Sequence, residues 1–198
     1  MKRFALVMFV VMAFAASASA QTMMAGLKGG LNIAKMTGDD VPDDASWLYG
    51  GAGGGYFTYK FSDMFAIQPE VLFMMKGFSM DVEDETYKMK LNYIDIPVLL
   101  KVCIPTEGSV KPSIFAGPYL GLLLSAKADD EDVKDYTKSM DYGVVFGGGI
   151  NYMLAEDQGY ISLDARYGMG LTTVDDSDDE RDGKNMGITI MVGYGKSF

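Results

Sequence analysis

The side chains able to do chemistry in this chain are charged ones. Histidine is absent, and Cys103 is the single cysteine. Lack of histidine rules out a Ser-His-Asp triad and any zinc site built on histidine ligands. One cysteine makes no internal disulfide, zinc knuckle or CxxC redox pair, so Cys103 reads as a small strand residue. What remains is a set of charges spaced through otherwise apolar segments: Lys28, Glu70, Lys76, Asp95, Lys101, Asp141, Asp164 and Arg166. Charges held away from water need partners. The expectation is a structural ion-pair network centred on Glu70, Asp95, Asp164 and Arg166, with Lys28, Lys76 and Lys101 also in it. A proton or ion path is the competing reading. No catalytic, cofactor-binding or metal-ligating residue is assigned, and the chain is expected not to be an enzyme.

Two further motifs fail on inspection. Asp178, Glu180, Asp182 and Gly183 begin like a calcium loop, but the twelfth position is Thr189 where the loop needs Glu. A solvated acidic rim is preferred there to loose divalent-cation binding. The run Gly51-Ala52-Gly53-Gly54-Gly55 lacks the Lys-Ser/Thr and the helix of a phosphate loop. The overall balance, 17 Lys plus Arg against 27 Asp plus Glu, argues against a nucleic-acid partner.

The elements that would position these charges begin after residue 20. Lys2 and Arg3, an apolar run over 4–16 and the small residues Ser17-Ala18-Ser19-Ala20 form a secretory signal pattern. The expected division is a cleaved signal peptide over 1–20 and one domain over 21–198. Eight strand candidates follow, over 24–36, 47–61, 65–80, 89–104, 112–126, 139–154, 159–174 and 185–198. Each exceeds the ~9–11 residues that a tilted strand needs to cross a bilayer. Connections alternate in length. Those over 37–46, 81–88, 127–138 and 175–184 are long and carry most of the acidic residues. Those over 62–64, 105–111 and 155–158 are shorter. Long loops on one side and short turns on the other mark an outer-membrane barrel. An even strand count places both chain ends on the short-turn, periplasmic side.

Within the strands, side chains alternate as they must when one face meets lipid and the other a lumen. Ile161, Leu163, Ala165, Tyr167, Met169 and Leu171 oppose Ser162, Asp164, Arg166, Gly168 and Gly170. Ile94, Ile96, Val98, Leu100, Val102 and Ile104 oppose Tyr93, Asp95, Lys101 and Cys103. The fifth segment alternates least, both faces being apolar or small. Pro69, Pro97 and Pro118 fall inside strands, where a missing donor predicts local bulges. The glycine runs over 51–55 and 147–149 read as room inside a narrow cylinder. Two aromatic girdles are expected: Phe57, Tyr59, Phe61, Phe65, Tyr152, Tyr160, Tyr194 and Phe198 near the short turns, and Trp47, Tyr49 and Tyr142 near the long loops. The fold class is therefore all-β, an eight-stranded antiparallel up-and-down transmembrane barrel.

Several segments carry a family likeness: Gly26-Leu27-Lys28-Gly29-Gly30-Leu31-Asn32, Gln68-Pro69-Glu70-Val71-Leu72-Phe73, Tyr93-Ile94-Asp95-Ile96-Pro97-Val98-Leu99-Leu100-Lys101, Ala116-Gly117-Pro118-Tyr119-Leu120-Gly121 and the terminal Gly193-Tyr194-Gly195-Lys196-Ser197-Phe198. In this order they resemble the PorT-like outer-membrane β-barrel family, relatives of the eight-stranded OmpA/OmpX-type barrels. The resemblance implies assembly in the outer membrane of a Gram-negative cell, among outer-membrane lipid and lipopolysaccharide. It implies that Phe198 serves as the C-terminal signal read by the barrel-assembly machinery. Some members are linked to a protein secretion apparatus, which makes secretion-apparatus proteins the expected partners.

The functional expectation is a structural or protein-interaction barrel, with a small transporter or pore as the alternative. No cofactor is expected. A lipid-modifying enzyme would lack the usual histidine base. A soluble lipocalin-like barrel would point Ile94, Val98, Ile161, Leu163 and Ile190 inward, so their direction decides the membrane assignment.

Overall fold

The computed structural model describes residues 22–41, 45–82, 85–129, 131–155, 158–176 and 182–198; the expected signal peptide lies outside them. Eight long strands dominate: β1 (Thr22–Thr37), β2 (Leu48–Lys60), β3 (Phe65–Val82), β4 (Glu85–Cys103), β5 (Val110–Ala128), β6 (Met140–Met153), β7 (Tyr160–Gly170) and β8 (Lys184–Ser197). Each pairs antiparallel with the next. β8 returns to β1 in register from Met24↔Ser197 to Thr37↔Lys184. Closure leaves the sheet no free edge, so every strand satisfies its backbone on both sides. No helix among the described residues is long and apolar enough to cross a membrane.

The two faces separate as the alternation requires. Ile161, Leu163 and Ile190 point outward at 45%, 48% and 47% exposure, and Ile94 and Val98 are half-exposed beside buried Asp95 and Leu99. Lys28, Glu70, Asp95, Asp164 and Arg166 are buried on the inner face. An apolar exterior around a charged interior inverts a soluble protein, and lipid is the solvent that makes it stable. Even β5 alternates, with Phe115, Tyr119 and Leu123 buried against exposed Ile114 and Leu124.

Four expectations need correction. The bulges foreseen at Pro69, Pro97 and Pro118 do not form. Register continues unchanged through Pro69↔Val98, Pro97↔Tyr119 and Pro118↔Val144. An antiparallel residue offers its N–H to one neighbour only, so a proline deletes one bond while flanking pairs hold the register. The shift between β4 and β5 lies instead at Asn92/Tyr93. There Leu124 is extra, so burial moves from Leu123 to Ala126.

The polar connection expected over 81–88 is mostly ladder. Met80↔Tyr87, Asp81↔Thr86 and Val82↔Glu85 extend the β3–β4 hairpin. A ladder already running needs only backbone partners, and water beyond the bilayer solvates whatever side chains it carries. β7, by contrast, stops at Gly170, short of the expected end at 174. The Thr172 hydroxyl accepts from the Tyr142 N–H (3.0 Å) and donates to Asp141 (3.1 Å), so a side chain takes the place of the next ladder bond.

The aromatic girdles lose two members. Tyr59 and Tyr160 are buried, whereas Phe57, Phe61, Phe65, Tyr152, Tyr194, Phe198, Trp47, Tyr49 and Tyr142 are exposed. Tyr160 shares the parity of Ser162 and Asp164, and parity outweighs its place at a strand end.

A cylinder this narrow bends its strands sharply, and glycine permits it. A Cβ on Gly30 would collide with the Ile190 carbonyl oxygen, and one on Gly54 with that of Val71. Short pieces buttress the long-loop end. Ala45–Ser46 pairs with β3 and Glu131–Asp132 with β5, covering the strand margins that rise above the rest.

Candidate functional site

The inward side chains stack in layers along the lumen. Nearest the short turns, the Tyr56 and Tyr160 hydroxyls meet at 3.1 Å. Above them is a four-residue ion cluster drawn from β1, β3 and β7. Lys28 Nζ lies 2.7 Å from Glu70 and 3.1 Å from Asp164. Arg166 reaches Glu70 at 2.7 Å and Asp164 at 2.9 Å. Gln68 donates to Glu70 at 2.6 Å. Two cations and two carboxylates close a ring in which the charges cancel, the condition for burying them. The Arg166 guanidinium also lies 5.2 Å from the Phe115 ring centre, and Lys28 Nζ 4.9 Å from that of Tyr56.

An apolar layer of Ala52, Leu72, Met74 and Met191 follows. The second cluster centres on Lys76, 2.9 Å from Asp95 and 3.0 Å from Asp141. Tyr119, Asn185 and Thr172 all donate to Asp141 at 3.1 Å. The rings of Tyr93 and Tyr119 flank the Lys76 ammonium at 4.8 and 4.3 Å. Toward the long loops, Met36, Leu91, Tyr93, Leu123, Ala126 and Val174 form an apolar lid, with Val41, Phe78, Met89 and Val133 packed on it. Between the two clusters is a void of about 40 Å³, bordered by Lys76, Asp95, Arg166 and Asn185. Asp95 Oδ1 and Asn185 Oδ1 have no protein partner.

Seven of the eight interior charges thus fall into two groups. Glu70, Asp164 and Arg166 come together with Lys28. Asp95 stands apart from them, beside Lys76 and Asp141. Lys101 joins neither; its ammonium donates to Gln68 Oε1 at 3.0 Å. Phe198 is exposed, with its ring 6.3 Å from that of Phe57 and its N–H donating to Met23 O at 2.9 Å. Residues that charge-spotting passed over complete both clusters: Gln68, Thr58, Tyr56, Tyr93, Tyr119 and Asn185. All are neutral, and the strand parity that flags Glu70 or Asp95 also marks Gln68 and Tyr93. Among the described residues no group of acidic, histidine or cysteine side chains is arranged to hold a metal ion.

Comparison with known proteins agrees with this architecture. No curated protein matches the chain by sequence. In fold the chain is similar to the outer membrane protein OprG from Pseudomonas aeruginosa, at 13% identity and TM-score 0.57, covering 90% of this chain and 95% of that one. It is also similar to Neisserial surface protein A (NspA), at 15% identity and TM-score 0.51, covering 90% and 98%. The family model described as "Outer membrane protein beta-barrel domain" matches residues 17–176. With most of its length matched and a closed barrel whose apolar face is its outer one, the chain belongs to the outer membrane protein beta-barrel domain family.

Proposed function

We propose that this protein is a sealed barrel of the outer membrane with a structural or protein-interaction role, in which the lumen is a plug instead of a conduit. One observation carries the reading: two hydrogen-bonded ion clusters, an apolar layer and an apolar lid occupy the interior in succession. A solute crossing this lumen would have to break paired charges in a space already filled by side chains, as eight strands leave it. The acidic long-loop rim, with its extended β3–β4 hairpin, then faces the exterior, and the chain ends lie on the periplasmic, short-turn side of a Gram-negative outer membrane. Outer-membrane lipid and lipopolysaccharide surround the apolar wall. The exposed Phe198 is the handle for the barrel-assembly machinery, and 1–20 is removed on export.

The PorT-like segment over 93–101 supports a finer reading, an accessory of a secretion apparatus. Its aromatic, charged and proline residues are all used in barrel building, so this reading rests on likeness alone. Planar-bilayer recording of the purified barrel tests the plug, with no discrete conductance steps expected. Regular single-channel steps would replace the plug with a pore. A pull-down from native outer membranes tests the accessory role, and recovery of the barrel without secretion proteins would remove it.

A further inference from the structure

The lumen is filled from its middle to its lid but hollow at the short-turn end. There a vestibule of about 300 Å³ opens between the strand ends, lined in part by Thr58, Lys60, Lys101, Cys103, Ser113 and Asn151. Lys101 stands at its inner limit, since it also lines the small gap that leads to Lys28 and Asp164. It is only 8% exposed. Lys28, Lys76 and Arg166 each have carboxylate partners, but Lys101 makes no ion pair among the described residues. Of its three N–H donors, one goes to Gln68 Oε1, an oxygen that also accepts from Thr58. Beyond that it has the Phe115 ring at 5.7 Å.

A buried cation without a counter-charge is the costly arrangement that the rest of this lumen avoids. Its surroundings do not supply the missing charge. Lys60 and Lys111 line the same vestibule against a single acid, Asp63, although the chain as a whole carries a formal charge of −10. Ser113 and Asn151 add neutral donors. We propose that this vestibule binds a small oxyanion-bearing solute, a carboxylate or phosphate, with its head group against the Lys101 ammonium. The hollow is at the lower end of the ~300–1,000 Å³ typical of small-molecule pockets, which limits the ligand to a compact solute entering from the short-turn side.

Cys103 lines the vestibule and is the chain's single thiol, so thiol modification reports on this space alone. The experiment compares an anionic sulfonatoethyl and a cationic trimethylammonioethyl methanethiosulfonate on the folded barrel purified from membranes, with rates corrected for reaction with a free thiol. The anionic reagent is expected to react roughly tenfold faster, the lower end of electrostatic focusing in a charged cleft. Inorganic phosphate and acetate, titrated in separate arms, are expected to slow modification saturably; the anion that protects at lower concentration identifies the head group. Lys101→Met is expected to abolish both preference and protection, whereas Lys196→Met, on the exposed outer wall of β8, retains them. Equal rates for the two reagents, protection by neither anion, or full protection surviving in folded Lys101→Met would each overturn the site. Should Lys101→Met fail to fold, the titrations on the unaltered protein still decide the matter.

Discussion

Glu70 is the most heavily shared acceptor of the lower cluster, since Lys28, Arg166 and Gln68 all converge on it. Glu70→Gln would leave two buried cations sharing Asp164 alone. Breaking a buried pair on one side typically costs about 3–5 kcal/mol. A loss of that size is expected in urea unfolding of the refolded barrel, and a loss below about 1 kcal/mol would show that the cluster is not under electrostatic constraint. The upper cluster permits the complementary experiment. Lys76→Met alone strands Asp95 and Asp141 and should destabilise by a similar amount. Adding Asp95→Asn and Asp141→Asn should return most of the loss, because removing all partners together leaves no uncompensated charge. No recovery in the triple variant would mean that Lys76 acts mainly through its packing between Tyr93 and Tyr119.

At the scale of the strand, curvature is set by which glycines lie against a neighbouring backbone. Gly30 and Gly51 are both strand glycines in facing strands, yet they differ in what a methyl group would meet. On Gly30 it would collide with the Ile190 carbonyl; on Gly51 it finds nothing within 4 Å. Gly30→Ala must therefore flatten the β1–β8 contact, at about 1–3 kcal/mol by the usual cost of overpacking, while Gly51→Ala is expected to be neutral. Heat-modifiable gel mobility measures the folded fraction of each. Equal folding of the two variants would show that β1 can relax its bend without loss.

The whole molecule is stable only because its solvent is lipid. Leu163 lies in the outward apolar band between Val192 on β8 and Ile150 on β6. Leu163→Arg should cost about 2–4 kcal/mol if that band spans the bilayer midplane, read from unfolding equilibria in liposomes. In a water-soluble barrel an arginine on this outer wall would be harmless, so a negligible change would contradict the membrane setting. The packed interior and the lipid-facing exterior are coupled. A lumen filled by paired charges lets the lipid-facing band of the wall be apolar, and such a band makes the paired interior the place where Lys28 or Arg166 can reside.

Strand number, and the inward or outward sense of most strand side chains, were legible in the residues themselves. A period of two is local, and a slip of one residue would turn Asp164 or Arg166 into hydrocarbon. Tyr160 stands at a strand end as a girdle aromatic would, but its parity with Ser162 and Asp164 turns it into the lumen. Tertiary structure alone decided the rest. Which charges pair depends on shear between strands distant in sequence, so Asp95 meets Lys76 and Asp141 and stays apart from Glu70. The extended β3–β4 hairpin and the unshifted prolines depend on ladder partners that no single segment contains. The isolation of Lys101 likewise appears only when eight strands close and distribute their carboxylates to other cations.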